Sequence, residues 1–137
     1  RPTPRVAEGR LVGAAGVASA MIDLSDGLAT DLEHIAAESA VGAEVRLATV
    51  PVDEAAAHLG ARLGVDPLTW AVRGGEDYEL LFTAGAAEAR ALARRVTDQT
   101  GTRVSIIGEV RHAADGVRFV DASGRPVAMG PGFEHFR

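Results

Sequence analysis

The chain has 137 residues, 47% of them hydrophobic, and a formal net charge of -5. That length suffices for one domain with its own core, and the acidic balance argues against a nucleic-acid partner. There is no cysteine and no lysine, which excludes a disulfide framework, a thiolate metal site and a P-loop, and no apolar run approaches the roughly 20 residues of a membrane span.

The chain opens Arg1-Pro2-Thr3-Pro4 without an initiator Met and reads as a piece of a longer protein. No signal peptide is visible, so a cytoplasmic location is expected. Thr3 as N-cap and Pro4 at N1 predict a helix start, with Ala7, Leu11, Ala14 and Ala15 as its buried stripe. Gly9, Gly13 and Gly16 follow no strand, so they read as close packing rather than a phosphate loop. Next, Ala20, Ile22 and Leu24 alternate with Met21, Asp23 and Ser25, the period of a strand. After Gly27 the period changes: Leu28, Leu32, Ile35 and Ala36 form one helical stripe. The turn between strand and helix carries Asp23, Ser25 and Asp26. A helix start offers unpaired N–H groups and a positive dipole end to phosphate. Two carboxylates beside a phosphate need a cation between them, so the turn reads as a magnesium–phosphate site. The alternative is that Ser25 or Asp26 only caps the helix. Asp23, a carboxylate among Met21, Ile22 and Leu24, fits that reading less well.

Ala43 to Val52 reads as extended, with Val45, Leu47 and Val50 inward and Pro51 at an edge or end. Asp53 should cap a helix with stripe Ala56, Leu59 and Leu63, closed by Gly64. Asp66-Pro67 starts a short helical segment running through Trp70 to Val72. Gly74-Gly75 signals a turn, and a strand over Asp77 to Thr83 follows, with Glu76 and Asp77 at its start. A helix from Ala86 to Thr100 turns Ala89, Leu92, Ala93 and Val96 inward and Arg90, Arg94 and Arg95 to solvent, and Gly101 stops it. Val104, Ile106 and Val110 predict a strand, Asp115-Gly116 a hairpin back to Val117 and Phe119, and Ser123-Gly124 a second turn before Val127 to Met129. His34, His58, His112 and His135 have no shared ligand spacing and read as structural or exposed. Trp70, Tyr78 and Phe82 read as core. Phe133 lies beyond Gly130-Pro131-Gly132 and is free to cover a ligand ring. The whole predicts an α/β (α+β) domain, a mixed sheet of about four to six strands layered with helices.

Asp23-Leu24-Ser25-Asp26-Gly27-Leu28, with Asp31, Leu32, His34 and Ile35 following in helical spacing, resembles a signature of the thiamine-monophosphate kinase family. Gly74-Gly75-Glu76-Asp77-Tyr78-Glu79-Leu80-Leu81-Phe82-Thr83 and Gly132-Phe133-Glu134-His135-Phe136 agree with it in the same order. The resemblance implies the carboxy-terminal domain of a two-domain kinase whose amino-terminal domain is absent here. It implies the fold of the aminoimidazole-ribonucleotide synthetase superfamily, and phosphorylation of thiamine monophosphate by ATP with Mg²⁺. Asp23 and Asp26 are then metal ligands and Ser25 an ATP phosphate contact. Glu76, with Asp77 as second choice, would accept from the thiamine aminopyrimidine or attract its thiazolium, and Phe133 would lie against a ring. The full protein is expected to be a homodimer through the missing domain, and this piece alone is expected to be inactive. The rival readings are a synthetase-like or selenophosphate-synthetase-like enzyme, and a non-catalytic binding domain of the same fold.

Overall fold

The computed structural model describes residues 2–129. The elements run α1 (Val6–Ala15), β1 (Ala18–Asp23), α2 (Leu28–Glu38), β2 (Gly42–Arg46), α3 (Glu54–Leu63), α4 (Pro67–Arg73), β3 (Leu80–Ala84), α5 (Ala86–Thr100), β4 (Gly108–Arg111), β5 (Val117–Val120) and β6 (Pro126–Val127). This is the expected mixed α/β architecture, but the strands divide between two sheets. β1 and β3 form an antiparallel pair, and the other four lie in the order β4-β2-β5-β6. β2 is antiparallel to β4 and parallel to β5, so the larger sheet is mixed.

Two apolar clusters make up the interior, and β3 contributes to both, Leu81 to the first and Phe82 to the second. Leu28, Ala29 and Leu32 of α2 pack with Ala43, Val45, Leu47, Val72 and Phe119 against the four-stranded sheet. Val12 of α1 and Leu92 and Val96 of α5 pack with Phe82 and Val104 against the two-stranded sheet. The turn between β1 and α2 therefore joins an element of one cluster to an element of the other.

Several local expectations are corrected. α1 starts two residues after Pro4, with Arg5 in the cap position and no side-chain cap. Arg5 is held outside the helix, its guanidinium donating to the Glu79 carboxylate at 2.8–3.1 Å and to Thr102 Oγ1 at 3.2 Å. The buried residue of α1 is Val12, not Ala14, which is exposed. Val104–Ile107 lies outside the strands; β4 begins at Gly108. Asp115-Gly116 closes no hairpin, because β2 is inserted between β4 and β5. The extended segment after Gly42 ends at Arg46 and gives way to a 3₁₀ turn over Leu47–Thr49. The stripe of α3 faces out: Leu59 and Leu63 are exposed and Gly60 is the buried residue, packed on the Val65 carbonyl and Pro67. The caps hold as read: Asp53 accepts from Ala55 N–H at 2.8 Å and Asp66 from Leu68 N–H at 2.9 Å. No helix among the described residues is long and apolar enough to cross a membrane.

Candidate functional site

β1 delivers Asp23 to its last, exposed position, and the chain then turns through Ser25 and Asp26 into α2. Gly27 occupies the cap position at φ 101, a conformation that disfavours any β-carbon. A β-carbon there would also come within 3.0–3.1 Å of the Arg73 and Gly74 backbone. The second predicted motif is the reason for this crowding. Leu24 N–H donates to the Glu79 carbonyl at 2.8 Å, Tyr78 N–H to the Leu24 carbonyl at 2.9 Å, and Glu76 N–H to the Ser25 carbonyl at 2.8 Å. The two motifs, distant in sequence, thus interlock by main-chain hydrogen bonds into one double turn.

The second turn carries unusual backbone. Glu76 and Tyr78 are left-handed, at φ 66 and φ 53, an arrangement that costs a non-glycine residue energy and persists where the surroundings over-determine it. It also explains why β3 begins at Leu80 rather than Asp77: alternating left-handed residues break the pleat. Glu76, Asp77 and Tyr78 are exposed. The Asp77 carboxyl is raised above its ordinary value by partial desolvation and then by the nearby Glu79 charge. Arg5 braces the start of β3 through Glu79.

Sequence reasoning passed over one residue. Asp31, in the first turn of α2, is 1% exposed, and its Oδ2 accepts from Asp26 N–H at 3.0 Å. Burial pushes this carboxyl up; the Asp26 N–H pulls it down, the Asp26 charge raises it again, and His34 and the Ser25 N–H lower it. Ligating atoms of Asp26, Asp31 and His34 lie within 4.8 Å of one another. The signal for Asp31 was present: a carboxylate between Leu28 and Leu32 on a helix whose inner face must be buried.

The structure therefore brings Asp23, Ser25, Asp26, Glu76 and Asp77 onto two interlocked turns. Phe133 and His135 lie outside the described residues. Carboxylate oxygens at Asp23 and Asp26 are donors of the kind a hard divalent cation takes, completed by water or phosphate oxygens. The donor chemistry of the first turn thus fits magnesium.

Residues 2–121 match the family described as AIR synthase related protein, C-terminal domain. The chain belongs to this family. Within it, the chain is similar to thiamine-monophosphate kinases. It is 39% identical to that of Salmonella typhimurium over 99% of its own length and 40% of the relative's. A solved thiamine-monophosphate kinase from Stenotrophomonas maltophilia K279a superposes with a TM-score of 0.77 at 38% identity, covering 93% of this chain and 37% of that one. A second solved structure, AaThiL complexed with AMPPCP and TMP, superposes with a TM-score of 0.74 at 29% identity, covering 99% of this chain and 39% of that one. The chain spans about 40% of the length of the curated relatives it matches.

Proposed function

We propose that this chain is the carboxy-terminal domain of a thiamine-monophosphate kinase, which transfers the γ-phosphoryl group of ATP to thiamine monophosphate to give thiamine diphosphate and ADP. The observation that carries the reading is the main-chain interlock of the two motif turns, in a chain similar to these kinases along 99% of its length. Such a transfer asks little covalent chemistry of a protein; it asks that two polyanions be held in line. An attacking phosphate oxygen is already ionised at neutral pH, so a site rich in Asp needs no strong general base.

In this reading Asp23 and Asp26 would hold Mg²⁺, which when bound neutralises phosphate charge. Ser25 contacts an ATP phosphate. Glu76, or Asp77 beside it, receives the thiamine moiety, and Phe133 covers one of its rings. The interlock fixes the spacing between the phosphate turn and the thiamine turn. The remaining ligands and the dimer contact belong to an amino-terminal domain outside this chain, and the full protein acts in the cytoplasm.

The test is an assay of the full-length protein with thiamine monophosphate, an aminoimidazole precursor and selenide as alternative acceptor substrates. Diphosphate formation from thiamine monophosphate alone is expected, and Asp23→Asn or Asp26→Asn should reduce it by orders of magnitude with the fold intact by circular dichroism. Turnover of another acceptor, or full activity of both variants at ordinary Mg²⁺, overturns the reading.

A further inference from the structure

We propose that Asp31 is the positioning residue of the metal turn: its buried carboxylate holds the Ser25-Asp26 backbone in the conformation from which that turn takes up a divalent cation. The inference rests on the metal-turn reading above. Its ground is geometric. Gly27, at the cap of α2, has no side chain with which to tie down the turn before the helix. Asp31 does so instead, from inside, by accepting the Asp26 N–H at 3.0 Å.

A purely structural tie would not call for this residue. A carboxylate that is 1% exposed is expensive to bury, and it lies within 4.8 Å of ligating atoms of both Asp26 and His34, where a second carboxylate repels it. A neutral acceptor would make the same hydrogen bond more cheaply. A negative charge behind the turn is useful when a cation enters in front of it, since charge and hydrogen bonds just outside the ligands strengthen and orient them. Asp31 is too enclosed, and its Oδ2 too committed to Asp26 N–H, to serve as a ligand to a hydrated ion.

The experiment uses the full-length protein with Mn²⁺ as the probe, following paramagnetic broadening of the amide signals of residues 23–27 and hydrogen exchange of the Asp26 amide. In the parent chain, broadening is expected at the turn. Asp31→Ala is expected to weaken the Mn²⁺ midpoint by about tenfold or more and to speed exchange at the Asp26 amide. Asp31→Asn still offers an oxygen to that N–H but no charge, so its slow exchange should persist while the midpoint weakens, by less than in Asp31→Ala. Asp26→Asn sets the scale for loss of a true ligand. If Asp31→Asn loses as much as Asp26→Asn, Asp31 is itself a ligand and the positioning role is wrong. If Asp31→Ala lowers the melting temperature but leaves the midpoint unchanged, the residue is structural only. Absence of broadening in the parent chain is a different failure: it removes the metal turn itself, and the inference with it.

Discussion

Gly75 has no room for a side chain, since a β-carbon there would sit 2.6 Å from the Ser25 carbonyl oxygen. Gly75→Ala must therefore push the two turns apart, and a loss of about 1–3 kcal/mol in chemical denaturation is expected. Gly13, inside α1 with nothing within 4 Å of its would-be β-carbon, is the contrast: Gly13→Ala should stabilise by about 0.5–1 kcal/mol in the same measurement. At Glu76 the left-handed backbone is set by the interlock, so Glu76→Gln should melt with the parent chain. In the full-length protein it should raise KM for thiamine monophosphate and leave KM for ATP nearly unchanged. A parallel rise in both constants, or a fall in melting temperature in step with activity, would make Glu76 structural. At this scale the two turns were legible, because Gly27 and Gly74-Gly75 punctuate the motifs that carry Asp23, Ser25, Asp26 and Glu76, whereas the main-chain bonds between the turns were not. Asp31 was passed over because a carboxylate on a helix is ordinarily a solvated one, although its place on the inward face of α2, beside Leu28 and Leu32, was there to be read.

Among the elements, β2 repays the closest attention. Its Glu44 lies between Arg111 of β4, which donates from Nη2 at 3.1 Å, and Arg118 of β5, which donates from Nε at 2.8 Å. These bonds, first to Arg118 and then to Arg111, hold the Glu44 carboxyl below its ordinary value of 4.5. Because the folded-state pKa is the lower one, the stabilisation is complete above the unfolded value and is lost as pH falls through the folded value. Melting temperature should thus drop below about pH 4.5, and Glu44→Gln should flatten that drop while lowering the neutral-pH value slightly. An unchanged acid limb in the variant would assign it to other groups, Glu8 and Asp121 among them, whose carboxyls are also held low by hydrogen bonds. The insertion of β2 between β4 and β5 was not legible. Asp115-Gly116 is good hairpin chemistry, but strand insertion is a long-range choice. Its trace is Gly42, whose β-carbon would meet the His112 and Gly116 carbonyl oxygens at 2.5–2.6 Å. The C-terminal ends of α3 and α5 were read well because such stops are local: Gly64 and Gly101 are both left-handed, as C-terminal stops should be.

For the whole molecule, alternating helix and strand periods sufficed to predict a layered mixed α/β fold. They did not separate the strands into two sheets, since periodicity tells which residues are buried and not which cluster they join. The candidate site lies where the two clusters meet, with β1 built on one and α2 on the other. On the proposed reading this geometry supplies one side of a reaction site, one turn for phosphate and one for substrate, in a chain with no lysine to clamp a nucleotide. The purified 137-residue chain is expected to form no thiamine diphosphate from ATP and thiamine monophosphate, whereas the full-length protein should. Turnover by the isolated chain, followed by release of ADP, would refute the two-domain reading.

The bonds that join residues 24 and 25 to residues 76, 78 and 79 also impose an order in time. During synthesis the first turn leaves the ribosome long before its partner exists, and until then the Leu24 and Ser25 carbonyls have only water to bond. β1 likewise waits for β3, its only strand partner among the described residues. A nascent chain halted after Arg73 can form α2 but not the double turn, whatever metal the cell supplies. The site is therefore born late and all at once, when Glu79 reaches Leu24.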